Sequence, residues 1–119
     1  MTEEKKRKLQ ERMATLHEKY CSQLPGKYHE IEESWKLYQT DYSNPSFSET
    51  FYRLIHTLKG TAATFGFVTQ ADICFEIQKL LLKAQEEHVI LSESSIPKIK
   101  KHLAELKANI NTPAQDIPQ

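Results

Sequence analysis

Apolar residues recur every three or four positions along most of the chain, which is the pattern of amphipathic helices. The first run covers about Glu3 to Ser22 and the second about Lys27 to Thr40. Pro25-Gly26 between them is predicted to break the helix, so two separate helices are expected here. Their apolar faces consist of Leu9, Met13, Leu16 and Tyr20, and of Tyr28, Ile31, Trp35 and Tyr38.

A third helix is predicted after a turn-rich connection at residues 41–45. Ser46 begins this helix with a capping box, because Glu49 lies three residues further on. Gly66 is expected to end it in a C-cap role. Its apolar face consists of Phe51, Leu54, Ile55, Leu58, Ala62 and Phe65.

Two further helices complete the pattern. The fourth is predicted to begin near Thr69, with Asp72 in its first turn favouring the helix dipole, and to run to about Glu87. The fifth follows Ser92 to Ser95 and has Pro97 in its first turn, where a missing N–H costs little. Their inward-facing residues are Ile73, Ile77, Leu80, Leu81 and Ala84, and Ile99, Leu103, Leu106 and Ile110.

Five helical stretches joined by short connections favour an all-α fold. The expected architecture is an antiparallel up-down four-helix bundle with an additional N-terminal helix. Residues 1–111 are expected to form this single domain. Residues 112–119 contain two prolines and few apolar side chains, so a flexible C-terminal tail is expected there.

The charge balance excludes some kinds of partner. Of the 119 residues, 16 are Lys or Arg and 16 are Asp or Glu, so the formal net charge is zero. Nucleic-acid binders usually carry a basic excess and membrane anchors a basic cluster, so we expect neither partner, and we expect a monomer. No apolar stretch follows the charged N-terminus, and Cys21 and Cys74 lack CxxC spacing. We therefore expect two free buried thiols and a cytoplasmic protein.

The chemically informative stretch runs from His56 to Gly66 and reads His-Thr-Leu-Lys-Gly-Thr-Ala-Ala-Thr-Phe-Gly. On a helix, Gly60 lies about 40° round from His56 and Ala63 about 20°. Lys59 lies about 60° round in the other direction. The apolar face of the helix lies largely elsewhere. His56 is therefore expected to project from an exposed face, beside a cation and small residues.

This arrangement suits the reception of a phosphoryl group. A neutral imidazole nitrogen is a competent nucleophile near neutral pH, and Lys59 can offset negative charge on the group being transferred. Gly60 and Ala63 leave room for a partner that carries an acyl phosphate. Because glycine inside a helix costs about 1 kcal/mol relative to alanine, the presence of Gly60 indicates a packing or functional role. The alternative is that Gly60 lets two helices pack closely and that His56 is an ordinary surface histidine.

The stretch resembles the phosphorylation motif of histidine-containing phosphotransfer (HPt) domains, His-x-Leu-Lys-Gly-x-x-x-x-x-Gly. Every fixed position of that motif matches, at His56, Leu58, Lys59, Gly60 and Gly66. The similarity extends beyond the motif. Those domains are helical bundles of about this length, with a four-helix core and often an extra N-terminal helix.

The resemblance implies that His56 is phosphorylated and that Lys59 stabilises the charge there. The next helix of the family often supplies a Gln or Glu that binds the other ring nitrogen of the histidine. Gln78 occupies the matching place and would leave Nε2 free to attack; the alternative is a solvated helix residue. Two positions depart from the family pattern. Phe67 stands where a small residue is frequent, and Ile77-Gln78 replaces a more common Leu-Glu.

The function that the resemblance implies is exchange of a phosphoryl group between His56 and aspartates of receiver domains, in response regulators or hybrid histidine kinases. Docking is expected to use an apolar surface that includes Tyr52 and Phe67, and to depend weakly on salt because the net charge is zero. Without a Gly-rich phosphate loop, the chain is expected to be a phosphoryl carrier and not a kinase. No cofactor of its own is expected, and Mg²⁺ is expected only in the receiver domain.

Two alternatives remain open. A non-catalytic helical adaptor could bind a receiver domain or a histidine kinase, although such a binder has no need of His56 and Lys59. An enzyme that uses His56 as a general base would need an acid, base or metal partner that the sequence does not provide. The remaining histidines lack metal-ligand spacing and are expected to be surface or cap residues: His17, His29, His88 and His102.

Overall fold

Residues 2–111 form four α-helices. The computed structural model describes residues 2–111, and the tail predicted at residues 112–119 lies outside the described residues. The helices are α1 (Glu3–Thr40), α2 (Pro45–Thr64), α3 (Val68–Glu86) and α4 (Ser95–Asn111). Each helix packs against the next, and α1 also packs against α4, which closes the bundle. The all-α prediction is confirmed, since residues 2–111 contain no strand.

The predicted helix break at Pro25-Gly26 is wrong, because both residues lie inside the 38-residue helix α1. A proline in a helix interior removes a backbone hydrogen bond and costs about 3 kcal/mol. Burial on both sides offsets that cost, since Leu24 and Ile31 are almost completely buried and such side chains contribute about 1.5–3 kcal/mol each. The additional N-terminal helix is therefore the first half of α1 and not a separate element.

The length of α1 sets the shape of the molecule. A helix of this length measures about 57 Å, which agrees with the longest dimension of the fold, 55 Å, against 26 and 25 Å in the other two directions. The other three helices have 17 to 20 residues each. The N-terminal part of α1 therefore extends beyond the end of the bundle.

The start of α2 differs from the predicted capping box at Ser46. Asn44 is the N-cap residue, and its side-chain oxygen accepts hydrogen bonds from the backbone N–H groups of Ser46 and Phe47 at 2.9 and 3.3 Å. Pro45 occupies the first position of the helix, where no N–H is needed. The sequence Asn-Pro is thus the stronger start signal, and the helix begins one residue before Ser46.

A Schellman turn at Gly66 links α2 to α3. Gly66 has φ 81°, the left-handed conformation that glycine adopts at low cost. The N–H of Phe67 donates to the carbonyl of Ala62 at 2.8 Å, and the N–H of Gly66 donates to Ala63 at 3.2 Å. Gly66 therefore ends α2 as predicted, and α3 begins at once at Val68.

The predicted cap of α3 at Thr69 is displaced by this turn. Phe67 is the N-cap residue and makes no side-chain capping bond, while Asp72 lies beyond the first turn. At the other end of α3, His88 repeats the Schellman arrangement with φ 55°. The hydroxyl of Ser92 accepts a hydrogen bond at 3.1 Å from the N–H of Ser95, the first residue of α4.

The core joins all four helices around one continuous set of apolar side chains. Trp35 packs on Phe51 with ring centroids 5.1 Å apart, which ties α1 to α2. Ile77 on α3 and Ile99 on α4 are completely buried. Within residues 2–111, no helix combines the length and the apolar character that a bilayer span requires.

Candidate functional site

His56 projects into solvent from the second half of α2. Its neighbours Ile55 and Leu58 are buried in the core and fix the rotation of α2 about its axis. With that face directed inward, the helical period turns His56 outward. The position expected from the sequence is therefore the one that the fold produces.

Gln78 on α3 contacts the imidazole of His56 across the α2–α3 interface. Nδ1 of His56 lies 3.2 Å from Oε1 of Gln78. An amide oxygen can only accept a hydrogen bond, so this contact forms when Nδ1 carries the ring proton. The Nε2 atom then has its lone pair available on the exposed side of the ring.

Tyr52 covers one face of the same imidazole. The two rings stack with centroids 5.8 Å apart and an interplanar angle of 8°. Tyr52 lies one helical turn before His56 and is half-buried. Together with the Gln78 contact, the stack restricts the ring at one edge and one face, which favours a single orientation of Nε2. Tyr52 also forms part of the wall of a half-open cavity of ≈ 610 Å³ between the ends of α1, α2 and α3.

Two lysines lie close to the exposed aromatic ring of Phe75. Nζ of Lys59 is 5.4 Å from the centroid of Phe75, and Nζ of Lys79 is 5.0 Å from it. Lys79 also forms an ion pair with Glu76 at 2.9 Å, whereas within residues 2–111 Lys59 forms none. Lys59 is therefore the cation here whose charge is not neutralised by a carboxylate.

Phe75 is a site residue that the sequence interpretation missed. Its side chain is 43% exposed and lies three residues before Gln78 on α3. The sequence did contain a signal, because Phe75 is an aromatic residue outside the inward-facing stripe of α3 and therefore exposes apolar surface to solvent. An exposed apolar ring on the helix that carries Gln78 is an accessible contact point for a partner.

Gly60 and Ala63 leave the surface beside His56 open. Both are exposed, and a Cβ atom built on Gly60 would meet no neighbouring helix or side chain within 4 Å. The alternative that Gly60 permits close helix packing within the molecule is therefore wrong. Because Gly60 has no side chain, nothing protrudes from the helix surface one turn after His56.

Phe67 does not lie on the surface, so its expected place in a docking surface is wrong. It is 1% exposed and stacks on His17 at 5.3 Å and against Tyr20 at 5.2 Å between ring centroids. The left-handed turn at Gly66 directs the chain back into the bundle and places Phe67 in the core. The exposed apolar residue next to it is Val68, at 45%.

Buried polar groups beneath the site are held in their neutral forms. The hydroxyl of Tyr20 donates to Oε1 of the completely buried Gln70 at 2.9 Å. Burial raises the pKa of the Cys74 thiol to about 12, and the nearby charge of Lys59 opposes this only partly. Burial also raises the pKa of the half-buried Cys21. Both cysteines are free thiols, as the sequence predicts, but only Cys74 is buried as expected, since Cys21 is half-buried.

The histidines outside the motif differ in their surroundings. His17 is half-buried, and its expected surface position is wrong, because its ring stacks on Phe67 at an interplanar angle of 17°. His102 lies inside α4 and is also half-buried, so its expected surface or cap position is wrong as well; its Nδ1 lies 3.5 Å from Oε1 of Glu105. His29 and His88 are exposed.

One group of side chains in the described part of the chain brings possible metal-ligand atoms together. Atoms of His29, Glu32 and Glu33 lie within 4.8 Å of one another on α1. Nζ of Lys36 already lies 3.8 Å from Glu32 and 3.3 Å from Glu33. A lysine of the chain itself thus pairs with both carboxylates, and the group forms an ion-pair network on the surface of α1.

The comparison with protein families agrees with this geometry. The structure combines a helical bundle with an exposed histidine whose Nδ1 contacts Gln78. A lysine and a glycine with free space around it follow this histidine within about one helical turn. The family model "Hpt domain" matches residues 9–109, which is most of the chain. The chain therefore belongs to the Hpt domain family.

Proposed function

We propose that this chain is a phosphorelay intermediate that exchanges a phosphoryl group between His56 and the aspartate of receiver domains. Histidine phosphotransfer in phosphorelays is the activity that membership of the Hpt family implies. The assignment to His56, the roles of Lys59 and Gln78, and the receiver domains as partners are the parts that we add. Receiver domains of response regulators and of hybrid histidine kinases both present the required aspartyl phosphate.

The proposed step is an in-line displacement at phosphorus. The Nε2 lone pair of His56 attacks the phosphorus of the aspartyl phosphate, a new N–P bond forms, and the P–O bond to the aspartate breaks. The aspartate leaves as a carboxylate, and the ring keeps its Nδ1 proton in the hydrogen bond to Gln78. The imidazole becomes positively charged, and the amide oxygen of Gln78 stabilises this charge through the hydrogen bond from Nδ1. The reverse step uses the same groups.

Lys59 is the group proposed to stabilise the transferring phosphoryl oxygens. It follows His56 by three residues on α2, so both side chains leave the same side of the helix. Its ammonium group has no carboxylate partner within residues 2–111, which leaves its charge available. A divalent cation is expected only in the receiver domain, where it would offset the remaining negative charge.

The observation that carries the proposal is the 3.2 Å contact between Nδ1 of His56 and Gln78. A helical adaptor that only binds a partner gains nothing from holding one tautomer of an exposed histidine. A phosphoryl acceptor gains a defined nucleophile at Nε2. The contact therefore favours the carrier over the adaptor.

We propose a docking surface that includes Phe75 and does not include Phe67, which is buried. Phe75 and Val68 are both exposed on α3, and Tyr52 and Gly60 are on α2. These residues lie on the two helices that bring His56 and Gln78 together, and the charges at Phe75 are Lys59 and the Lys79–Glu76 ion pair. Association should depend weakly on salt, because apolar contacts are not screened.

Transfer from a phosphorylated receiver domain tests the proposed acceptor. The wild-type chain should become labelled with an acid-labile phosphate, and His56→Gln should remain unlabelled. His29→Gln is the matched control, because it also removes an exposed helical histidine and should be labelled like the wild type. Equal labelling of wild type and His56→Gln would rule out this acceptor. Full receiver binding and full signalling by His56→Gln would favour the adaptor.

Titration with the same receiver domain tests the docking surface. Phe75→Ala should weaken binding about tenfold, in the range of a well-placed aromatic contact. Leu37→Ala is the control, because Leu37 is an apolar residue 51% exposed on α1. Unchanged binding by Phe75→Ala, or a steep loss of affinity with salt, would contradict the proposed surface.

A further inference from the structure

The first part of α1 carries an apolar stripe that no other part of the described chain covers. We call residues 3–16 the N-terminal arm. The first ring contact between α1 and the α2–α3 turn is that of His17 with Phe67, so the arm precedes the bundle. Within the arm, Leu9, Met13 and Leu16 are 48%, 46% and 42% exposed. Fourteen helical residues give the arm a length of about 21 Å.

The stripe continues the face of α1 that forms the core. Leu9, Met13 and Leu16 lie within about 60° of one another around the helix axis. The buried residues Tyr20 and Leu24 lie on the same side, so the arm presents to solvent the face that packs inside the bundle further along. Such a face is the part of a helix that normally packs against a second helix.

Charges on the arm, and on residues 17–19 directly after it, are arranged around this stripe. Lys5, Arg12 and Lys19 recur every seven residues and form a row beside the stripe, about 40° wide. Within residues 2–111, none of these three side chains is in an ion pair. Three acidic side chains lie on the opposite side of the helix, about 150–170° from the centre of the stripe: Glu4, Glu11 and Glu18. The fourth, Glu3, lies about 110° from it.

This charge pattern argues against a second copy of the chain as the occupant. In an antiparallel pair of arms, like flanks face each other, so the rows of Lys5, Arg12 and Lys19 would meet. In a parallel pair, each residue of this row faces the position five residues further along the other arm, so Lys5 would meet Gln10 and Arg12 would meet His17, while Glu3 on that flank would face none of the three. Neither arrangement pairs opposite charges.

The shape of the molecule argues against a flat lipid surface. The stripe faces the same side of α1 as the bundle, and the turn at Gly66 and Phe67 lies where the arm begins. The stripe therefore lies in the corner between the arm and the end of the bundle. A narrow object such as a helix fits this corner, whereas a plane would meet the bundle first.

We propose that the N-terminal arm is a docking site for an amphipathic α-helix of a partner protein that carries Asp or Glu side chains beside its apolar stripe. The apolar stripe of that helix covers Leu9, Met13 and Leu16. Its acidic residues pair with the row of Lys5, Arg12 and Lys19. Docking of this kind is independent of phosphoryl transfer at His56.

Two synthetic helical peptides of about four heptads test the proposal. Both carry Leu along their apolar stripe; the residues beside the stripe are Glu in one peptide and Lys in the other. Fluorescence anisotropy with the full chain should show the Glu peptide binding at least about tenfold more tightly. A variant with Leu9→Gln, Met13→Gln and Leu16→Gln should lose this binding. Lys5→Glu, Arg12→Glu and Lys19→Glu together should reverse the preference, because the flank changes sign. Since all six side chains are exposed, thermal unfolding of the bundle should be unchanged.

Several outcomes would overturn the proposal. Equal binding of both peptides, binding of neither, or a preference that the charge reversal leaves unchanged would contradict an acidic helix as the occupant. Sedimentation that shows a dimer abolished by the Gln variant would assign the arm to a second copy. Binding to phosphatidylserine vesicles that the Gln variant loses would assign it to a lipid surface.

Discussion

The amide oxygen of Gln78 lies 3.2 Å from Nδ1 of His56, across the interface between α3 and α2. This pair couples the packing of two helices to the protonation of one ring. The core residues Leu58 and Ile77 adjoin the site and hold the backbones in place. The geometry thus places an acceptor from the neighbouring helix at Nδ1, and we propose that the reactivity of Nε2 depends on it.

Removing the Gln78 contact should slow phosphoryl transfer. Gln78→Ala should lower the transfer rate about two- to tenfold, which corresponds to the ~0.5–1.5 kcal/mol net contribution of a hydrogen bond. Gln78→Glu retains an acceptor and should retain most of the rate. Gln85→Ala, an exposed position on the same helix, serves as the control. Rapid-quench kinetics with a phosphorylated receiver measures all three, and equal rates for Gln78→Ala and the control would contradict the role of Gln78.

Lys59 and Lys79 form a matched pair around the ring of Phe75. Lys59→Gln should lower the transfer rate about tenfold, as expected for a charge-assisted contact to a phosphoryl oxygen. Lys79→Gln should have little effect on the rate, because its charge is already neutralised by Glu76. Single-turnover transfer distinguishes the two, and similar losses in both variants would show a general effect of surface charge.

Alanine at Gly60 should separate stability from function. Both Gly60 and Gly26 lie inside helices with no neighbouring atom within 4 Å of an added Cβ. Each Gly→Ala change should therefore raise the free energy of unfolding by about 1 kcal/mol, from helix propensity. Only Gly60→Ala should weaken receiver binding and transfer, because its Cβ extends from the surface beside His56. Urea unfolding and a transfer assay measure the two effects. Unimpaired transfer in Gly60→Ala would show that a flat surface is not needed.

The buried thiol of Cys74 should make the fold less stable at high pH. Burial raises its pKa from 9.0 to about 12. The unfolded chain therefore loses this proton at a lower pH than the folded chain, and the free energy of unfolding falls as the pH rises from 9 towards 12. Burial also raises the pKa of Tyr20 and Tyr38, which adds to the same slope.

Urea unfolding across this pH range measures the contribution of Cys74. Cys74→Ala should flatten the decline above pH 9, because one group that favours the folded state only when protonated is gone. Ile77→Val is the control for lost buried volume and should lower the curve by a similar amount at every pH. An alkaline slope in Cys74→Ala equal to that of the wild type would contradict the assignment.

The apolar periodicity predicts the helices and most of the core, because burial dominates the energetics of a bundle of this size. The predicted helix break at Pro25 was wrong for the same reason. The burial of Leu24 and Ile31 on either side outweighs the cost of a proline inside the helix. The start of α2 depended on a choice between two good caps, and Pro45 at the first helical position favoured Asn44.

The site was predictable wherever one helix determines it. His56, Lys59 and Gly60 share the exposed side of α2, which follows from helical spacing. Phe67 and Phe75 were not predictable in this way. A single left-handed residue, Gly66, decides that Phe67 enters the core, and the packing of α3 on α2 decides that Phe75 lies beside Lys59.

Nuclear magnetic resonance of the phosphorylated chain tests the central claim most directly, because phosphorus–proton couplings identify both the histidine and the ring nitrogen that carry the phosphoryl group. One phosphohistidine is predicted, on His56 and at Nε2, since Nδ1 is bound to Gln78. A phosphoryl group at Nδ1 of His56, or on any other residue, would contradict the account.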